Sequence, residues 1–191
     1  MDWLIIALLI VVAFGGVAYV LPSKFQREVG KLRLEARQFG FSTSLMNVAN
    51  LNAEAADRVT AGGKVRFRDN FCAVYHKRYA KKVPHAPLWR LDRYDKGKFP
   101  VPAWTLHGDA LEGVDLSNAP YWKDVQGLLA TMPRTCRAVE CNADGISWIG
   151  IEAREVVLAG DFLKNLANAL DSLAELNVNL SGTDEDLKSD P

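Results

Sequence analysis

Phe71-Cys72-Ala73-Val74-Tyr75-His76-Lys77-Arg78-Tyr79 is the stretch on which the fold class turns. Phe71, Ala73, Tyr75, Lys77 and Tyr79 alternate with Cys72, Val74, His76 and Arg78, the period of two that an extended strand imposes on its side chains. Working outward, Gly62-Gly63 signals a turn before an alternating run at 64–68, and 88–94 reads as a further strand. Prolines at 84, 87, 100, 102 and 120 confine the middle of the chain to loops and edge positions. Residues 121–132 read as a helix stopped by Pro133, and 137–142 with 146–151 as a hairpin across Asn142-Ala143-Asp144-Gly145. Asp161 is placed to cap a last helix whose Leu163, Leu166, Leu170 and Leu173 form a core stripe. Residues 153–160 fit strand or helix. The expected class is therefore α+β, a small and mostly antiparallel sheet with helices over 41–180, followed by a disordered acidic tail over 181–191.

Upstream the chemistry changes. Trp3 to Leu21 (WLIIALLIVVAFGGVAYVL) is nineteen residues without a charge. As a helix it would span roughly 28 Å, close to the hydrocarbon thickness of a bilayer. Trp3 and Tyr19 sit near its ends, where amphipathic rings favour the interface. A cleaved signal peptide needs a basic start, a shorter apolar core and a small-residue cleavage site, and this segment has none of them. Residues 1–22 therefore read as a retained transmembrane anchor. Lys24, Arg27, Lys31, Arg33 and Arg37 follow it, and by the positive-inside rule they put the N-terminus outside and residues 22–191 in the cytoplasm.

Ser23 and Gln26 have capping-box spacing, so a second helix is expected over 23–40, ended by Gly40. Phe25, Val29, Leu32, Ala36 and Phe39 make one narrow apolar stripe flanked by the bases. That stripe suits either the membrane surface or the domain's own sheet. Lys24, Arg27, Lys31 and Arg33 are the residues expected to meet anionic headgroups, at about 1 kcal/mol each near the surface.

The whole chain has 191 residues, 49% hydrophobic and 24% charged, with 23 basic and 23 acidic side chains. Such a composition excludes a wholly disordered or collagen-like chain. Three cysteines exclude a dense disulfide scaffold and suit a reducing compartment. The zero net charge hides a polarity: residues 22–100 carry 17 bases against 7 acids, and residues 101–191 carry 6 against 15. The two halves can pair on folding, or the basic half can face an anionic partner.

No constellation of catalytic residues stands out. Cys136 and Cys141, five apart, fall on opposite faces of a continuous strand, which disfavours a disulfide or a shared metal. Cys72 and His76 share a face but lie roughly 13 Å apart along a strand. His76, His85 and His107 lack metal-ligand spacing, and Asp109, Glu112 and Asp115 lack the pattern of a calcium loop. No phosphate loop, dinucleotide fingerprint or nucleophile elbow occurs, and no cofactor is called for. Lys77, Arg78, Lys81 and Lys82, interleaved with aromatics, form a possible basic interaction patch. It suits lipid phosphate or an acidic protein first and nucleic acid less well, and it could equally be an edge strand guarded by lysines.

The opening also carries a family pattern: a short anchor, Leu21-Pro22-Ser23, then Leu32-Arg33, Ala36-Arg37 and Gly40-Phe41. Over about the first 41 residues it resembles uncharacterised proteobacterial single-pass inner-membrane proteins, sometimes labelled YajC-like after the small accessory subunit of the Sec translocase. That resemblance implies a bacterial inner-membrane location and no catalytic residues. The expectation is a single-pass membrane protein presenting its domain for protein or lipid interaction, as a scaffold or accessory subunit. A membrane-tethered enzyme is the alternative, and a nucleic-acid-binding module ranks behind both.

Overall fold

Ser23 begins the first helix by the chemistry its spacing implies. Its hydroxyl accepts from the Gln26 amide (3.2 Å) and the Gln26 side chain accepts from the Ser23 amide (2.7 Å). Helix α1 runs Lys24–Ala36, tightens into a 3-10 turn at Arg37–Phe39, and ends at Gly40 with φ +82°, a left-handed cap suited to a residue without Cβ. This computed structural model describes residues 22–53, 69–81, 83, 85–108 and 111–186, together with Trp3 and Ile5. Of the proposed anchor over 1–22, Trp3, Ile5 and Pro22 are described and the rest, Tyr19 included, lies outside the described residues, as do the run at 64–68 and Lys82. Among the described residues no helix is long and apolar enough to cross a membrane.

The chain is α+β. Strands β1 (Phe41–Ala49), β2 (Asp69–Arg78), β3 (Trp89–Arg93) and β4 (Trp104–Leu106) precede helix α2 (Ala119–Ala130). Strands β5 (Cys136–Cys141) and β6 (Gly145–Gly150) follow, then α3 (Arg154–Val157) and α4 (Phe162–Asp186). The six strands form one sheet in the order β1-β2-β6-β5-β3-β4, every pair antiparallel. The expected hairpin is β5–β6. Asn142 Oδ1 accepts from the amides of Asp144 and Gly145, and a Cβ on Gly145 would collide with the Lys77 carbonyl. The last helix is assigned through Asp186, beyond Ser181 where the tail was expected to start.

One expectation about the cysteines is corrected. A register shift between Cys136 and Ala138 breaks the alternation of β5, so Cys136 and Cys141 both face the main core. An extra residue in one strand reverses facing beyond it, which a count of spacing misses.

Among the described residues, helices α1 to α4 and one face of the sheet share that core. Tyr75 at its centre meets Phe41, Trp148 and Phe162 edge-on, with centroids 5.6–5.9 Å apart. The Leu163, Leu166, Leu170 and Leu173 stripe is fully engaged there. Across the core runs a neutral polar chain. Trp89 Nε1 donates to the Tyr121 hydroxyl (2.8 Å), which donates to Asn177 Oδ1 (2.9 Å); Asn177 Nδ2 donates to the Tyr79 hydroxyl (3.0 Å) and lies 3.5 Å from Cys141 Sγ. The opposite sheet face holds a small apolar cluster of Val48, Cys72, Val74, Ala138 and Ile149.

Candidate interaction surface

Helix α1 divides its stripe between two environments. Leu32 and Ala36 are buried in the core, Val29 and Phe39 are half-buried, and Phe25 near the N-terminus is exposed. The C-terminal half of the helix thus packs on the domain and the N-terminal half emerges from it. Arg33 joins the two. Its Nε donates to Glu152 Oε1 (2.9 Å) and its terminal nitrogen to Oε2 (2.5 Å), a bidentate pair. The Tyr75 hydroxyl donates to the same Glu152 Oε1 at 2.6 Å. The Glu152 side chain is 8% exposed and that of Arg33 is 33% exposed. The hydrogen bond from Arg33 to Glu152 holds the guanidinium more firmly protonated than usual. Burial, then the bond to Glu152, pushes the Tyr75 phenol far above its ordinary value.

The other bases of α1 remain outside this clamp. Lys24 and Arg27 are exposed, with Arg27 Nε donating to the Pro22 carbonyl (3.1 Å). Lys31 is exposed and pairs with Glu28 at 2.8 Å. Of the four bases expected at headgroups, Arg33 is the one whose side chain is already engaged by the domain. Trp3 is exposed.

The basic patch on β2 does not converge. Lys77 faces the helices, paired with Asp171 (2.7 Å) and lying 5.7 Å over the Phe41 ring. Arg78, next along the strand, faces the other way. With Lys81 it lines an open recess of about 610 Å³ where Glu112 and Asp144 meet the positive charge. That mixture of signs is poorly suited to a run of nucleic-acid phosphates.

On the second sheet face the pairing sets out a polar row that spacing alone did not reveal. His76 pairs with Ser147, Ser147 with Glu140, and Glu140 with Arg90. His76 Nδ1 lies 2.9 Å from Ser147 Oγ. Asp92 accepts from Arg90 Nε (2.9 Å) and sits 2.6 Å from His107 Nδ1. Burial, then the charge of Arg78, lowers the His76 pKa, so its imidazole stays neutral near pH 7. Ser147 is 5% exposed, covered rather than presented as a nucleophile. Among the described residues no group of three or more His, Cys, Asp or Glu is placed to hold a metal ion.

Two further features bear on chemistry. A recess of about 290 Å³, lined by Met132, Val156, Phe162 and Leu166, carries the carboxylates of Glu155 and Asp161 but no histidine, cysteine or base. The cysteines are free and buried. Burial raises the pKa of Cys72 and Cys141 and pushes Cys136 up to about 12, which leaves all three as unreactive thiols. The clamp residues Glu152 and Tyr75 escaped the sequence reading because 119 positions separate Arg33 from Glu152 and no local pattern joins them. Compared with protein-family models, with curated proteins and with solved structures, the chain matches none.

Proposed function

We propose that this chain is a single-pass inner-membrane protein whose residues 3–21 cross the bilayer, N-terminus outside, and whose α+β domain stands in the cytoplasm as a scaffold or accessory subunit. The observation that carries the reading is the attachment of α1. A Gly/Ser-rich linker at this point would leave the domain free to reorient relative to the bilayer. Here the apolar stretch is followed at once by Pro22, a capped helix, and the Arg33–Glu152–Tyr75 clamp. Thirteen helical residues rise about 20 Å, so the domain is held at one distance and in one posture relative to the point where the chain would leave the bilayer.

That rigidity suits a subunit presenting one surface to a neighbour in the same membrane. Lys24, Arg27 and Lys31, exposed on the free part of the helix, are available to anionic headgroups. The YajC-like resemblance of the opening fits the same placement. Reporter fusions at Pro191 test it: alkaline phosphatase and a fluorescent protein, each on the full chain in bacterial cells. Fluorescence without phosphatase activity is the expected result, with the chain floating with membranes and resisting carbonate extraction. Phosphatase activity would reverse the orientation, and release by carbonate would remove the anchor.

A further inference from the structure

The two edges of the sheet are finished differently. β4 is three residues long, with Pro100 and Pro102 immediately before it. β1 is nine residues, Phe-Ser-Thr-Ser-Leu-Met-Asn-Val-Ala, with no charge and no proline. Its register against β2 runs unbroken from Phe41↔Lys77 to Ala49↔Asp69. Among the described strands β2 is its one hydrogen-bonded neighbour. Natural sheets shorten, charge, kink or cover their edges, because a row of unpaired N–H and C=O groups recruits another strand. None of the first three devices is present here. At mid-strand Ser44 and Leu45 are both exposed, so both faces of the edge are open. Leu45 (45% exposed) pairs with Ala73 and Phe71 (67% exposed) pairs with Asn47, which puts two open apolar side chains on one face at diagonal positions.

We infer that β1 is an interface for a second copy of this chain, pairing antiparallel with itself so that two six-stranded sheets become one continuous sheet. An uncharged strand opposes no like charges in any register, so self-pairing carries no electrostatic penalty. The contact is isologous: the same strand serves both partners, and Leu45 of each copy gains a cross-strand neighbour. Geometry favours it as well. Continuing an antiparallel sheet requires a two-fold axis perpendicular to that sheet. Such an axis leaves α1 of both copies on the same face, so both N-terminal stretches can enter one bilayer. The inference deepens the proposed function by naming one partner, and only this last point rests on that reading. The pairing rests on the strand.

The test uses the full chain in mild detergent, sized by chromatography with light scattering. The wild type is expected to run as a dimer at micromolar concentration. With all nine residues of β1 overlapped, the central Leu45 lies opposite its copy, so Leu45→Lys sets lysines across the two-fold and is expected to raise the dimer dissociation constant at least about tenfold, with an unchanged circular dichroism spectrum. Leu45→Cys provides a second line that does not depend on tolerance of lysine. Residues opposite each other in an antiparallel pair lie within disulfide reach, so oxidation should cross-link it. Leu34→Cys, exposed on α1, should stay uncross-linked, and the native cysteines are buried. A monomeric wild type, or a dimer indifferent to Leu45→Lys and uncross-linked at Leu45→Cys, overturns the inference; a monomer that instead accepts an extended peptide along β1 does the same. A chain that stays soluble without detergent yet dimerises through Leu45 would overturn the anchor and keep the pairing. A detergent-requiring monomer would do the reverse.

Discussion

Two polar networks hold a helix to this sheet, and they are built from opposite materials. Around Asn177 every group is neutral: indole, phenol, carboxamide, phenol and thiol, with Asn177 itself 0% exposed. At Glu152 a carboxylate meets a guanidinium one-third open to water and a single phenol. The first network joins α4 to α2, β3, β5 and Tyr79 just past β2, and lies in the core apart from the half-buried Tyr79. The second joins the core to the helix that leads out of it. A largely buried neutral network suits a part that stays put, since its buried groups are costly to strip of a partner. A half-open ion pair is weaker because water solvates both of its states. The domain is thus knit by one, and α1 is tied to it by the other.

Breaking the neutral network should have the larger effect. Asn177→Ala removes the acceptor of the Tyr121 hydroxyl, the donor to the Tyr79 hydroxyl and the volume of the carboxamide together. The expected loss is about 3 kcal/mol, from orphaned buried groups plus a cavity. Guanidinium unfolding followed by tryptophan fluorescence reads it. A loss under about 1 kcal/mol would mean that the chain from Trp89 to Cys141 is incidental to stability. The clamp should cost less. A double-mutant cycle of Arg33→Met and Glu152→Gln is expected to give a coupling of about 1–2 kcal/mol, below that of a fully buried pair because Arg33 reaches water. Coupling near zero would detach α1 from the domain energetically and undercut the fixed posture on which the proposed function rests.

Sequence made one network's location far easier to approach than the other's. The leucine stripe of α4 announces the helix face, and Asn177 follows Leu166, Leu170 and Leu173 at helical spacing on that same face. A polar residue continuing an apolar stripe is a readable sign of an internal hydrogen bond. Glu152 offers no such sign. It lies in the short stretch between β6 and α3, and its partners are on α1 and β2. The helix over 23–40, its capping box and its glycine stop were all legible because they are local chemistry. The facing of Cys136 was not, because the shift in β5 depends on its pairing with β6. The open edge at β1 was likewise invisible, since strand order is a tertiary fact. For the same reason Lys77 and Arg78, neighbours in a basic run, part to opposite faces once β2 forms.

Salt offers the smallest effect and the sharpest separation of the two networks. Raising ionic strength from about 0.1 M to about 1 M shortens the screening length from about 10 Å to about 3 Å. The Arg33–Glu152 pair has one member in contact with solvent, so its coupling should fall by a few tenths of a kcal/mol over that range. The Asn177→Ala loss contains no charge and should stay constant within error. Repeating both measurements at the two salt concentrations, with sodium chloride in place of a Hofmeister salt that would strengthen burial generally, isolates the electrostatic part. A coupling that does not move would show that the Tyr75 side of the pair seals it more completely than the exposure of Arg33 indicates. Equal shifts in both variants would mean that salt acts on the whole fold, and the distinction between a knitting network and a posture-setting one would then have to rest on the size of the two losses alone.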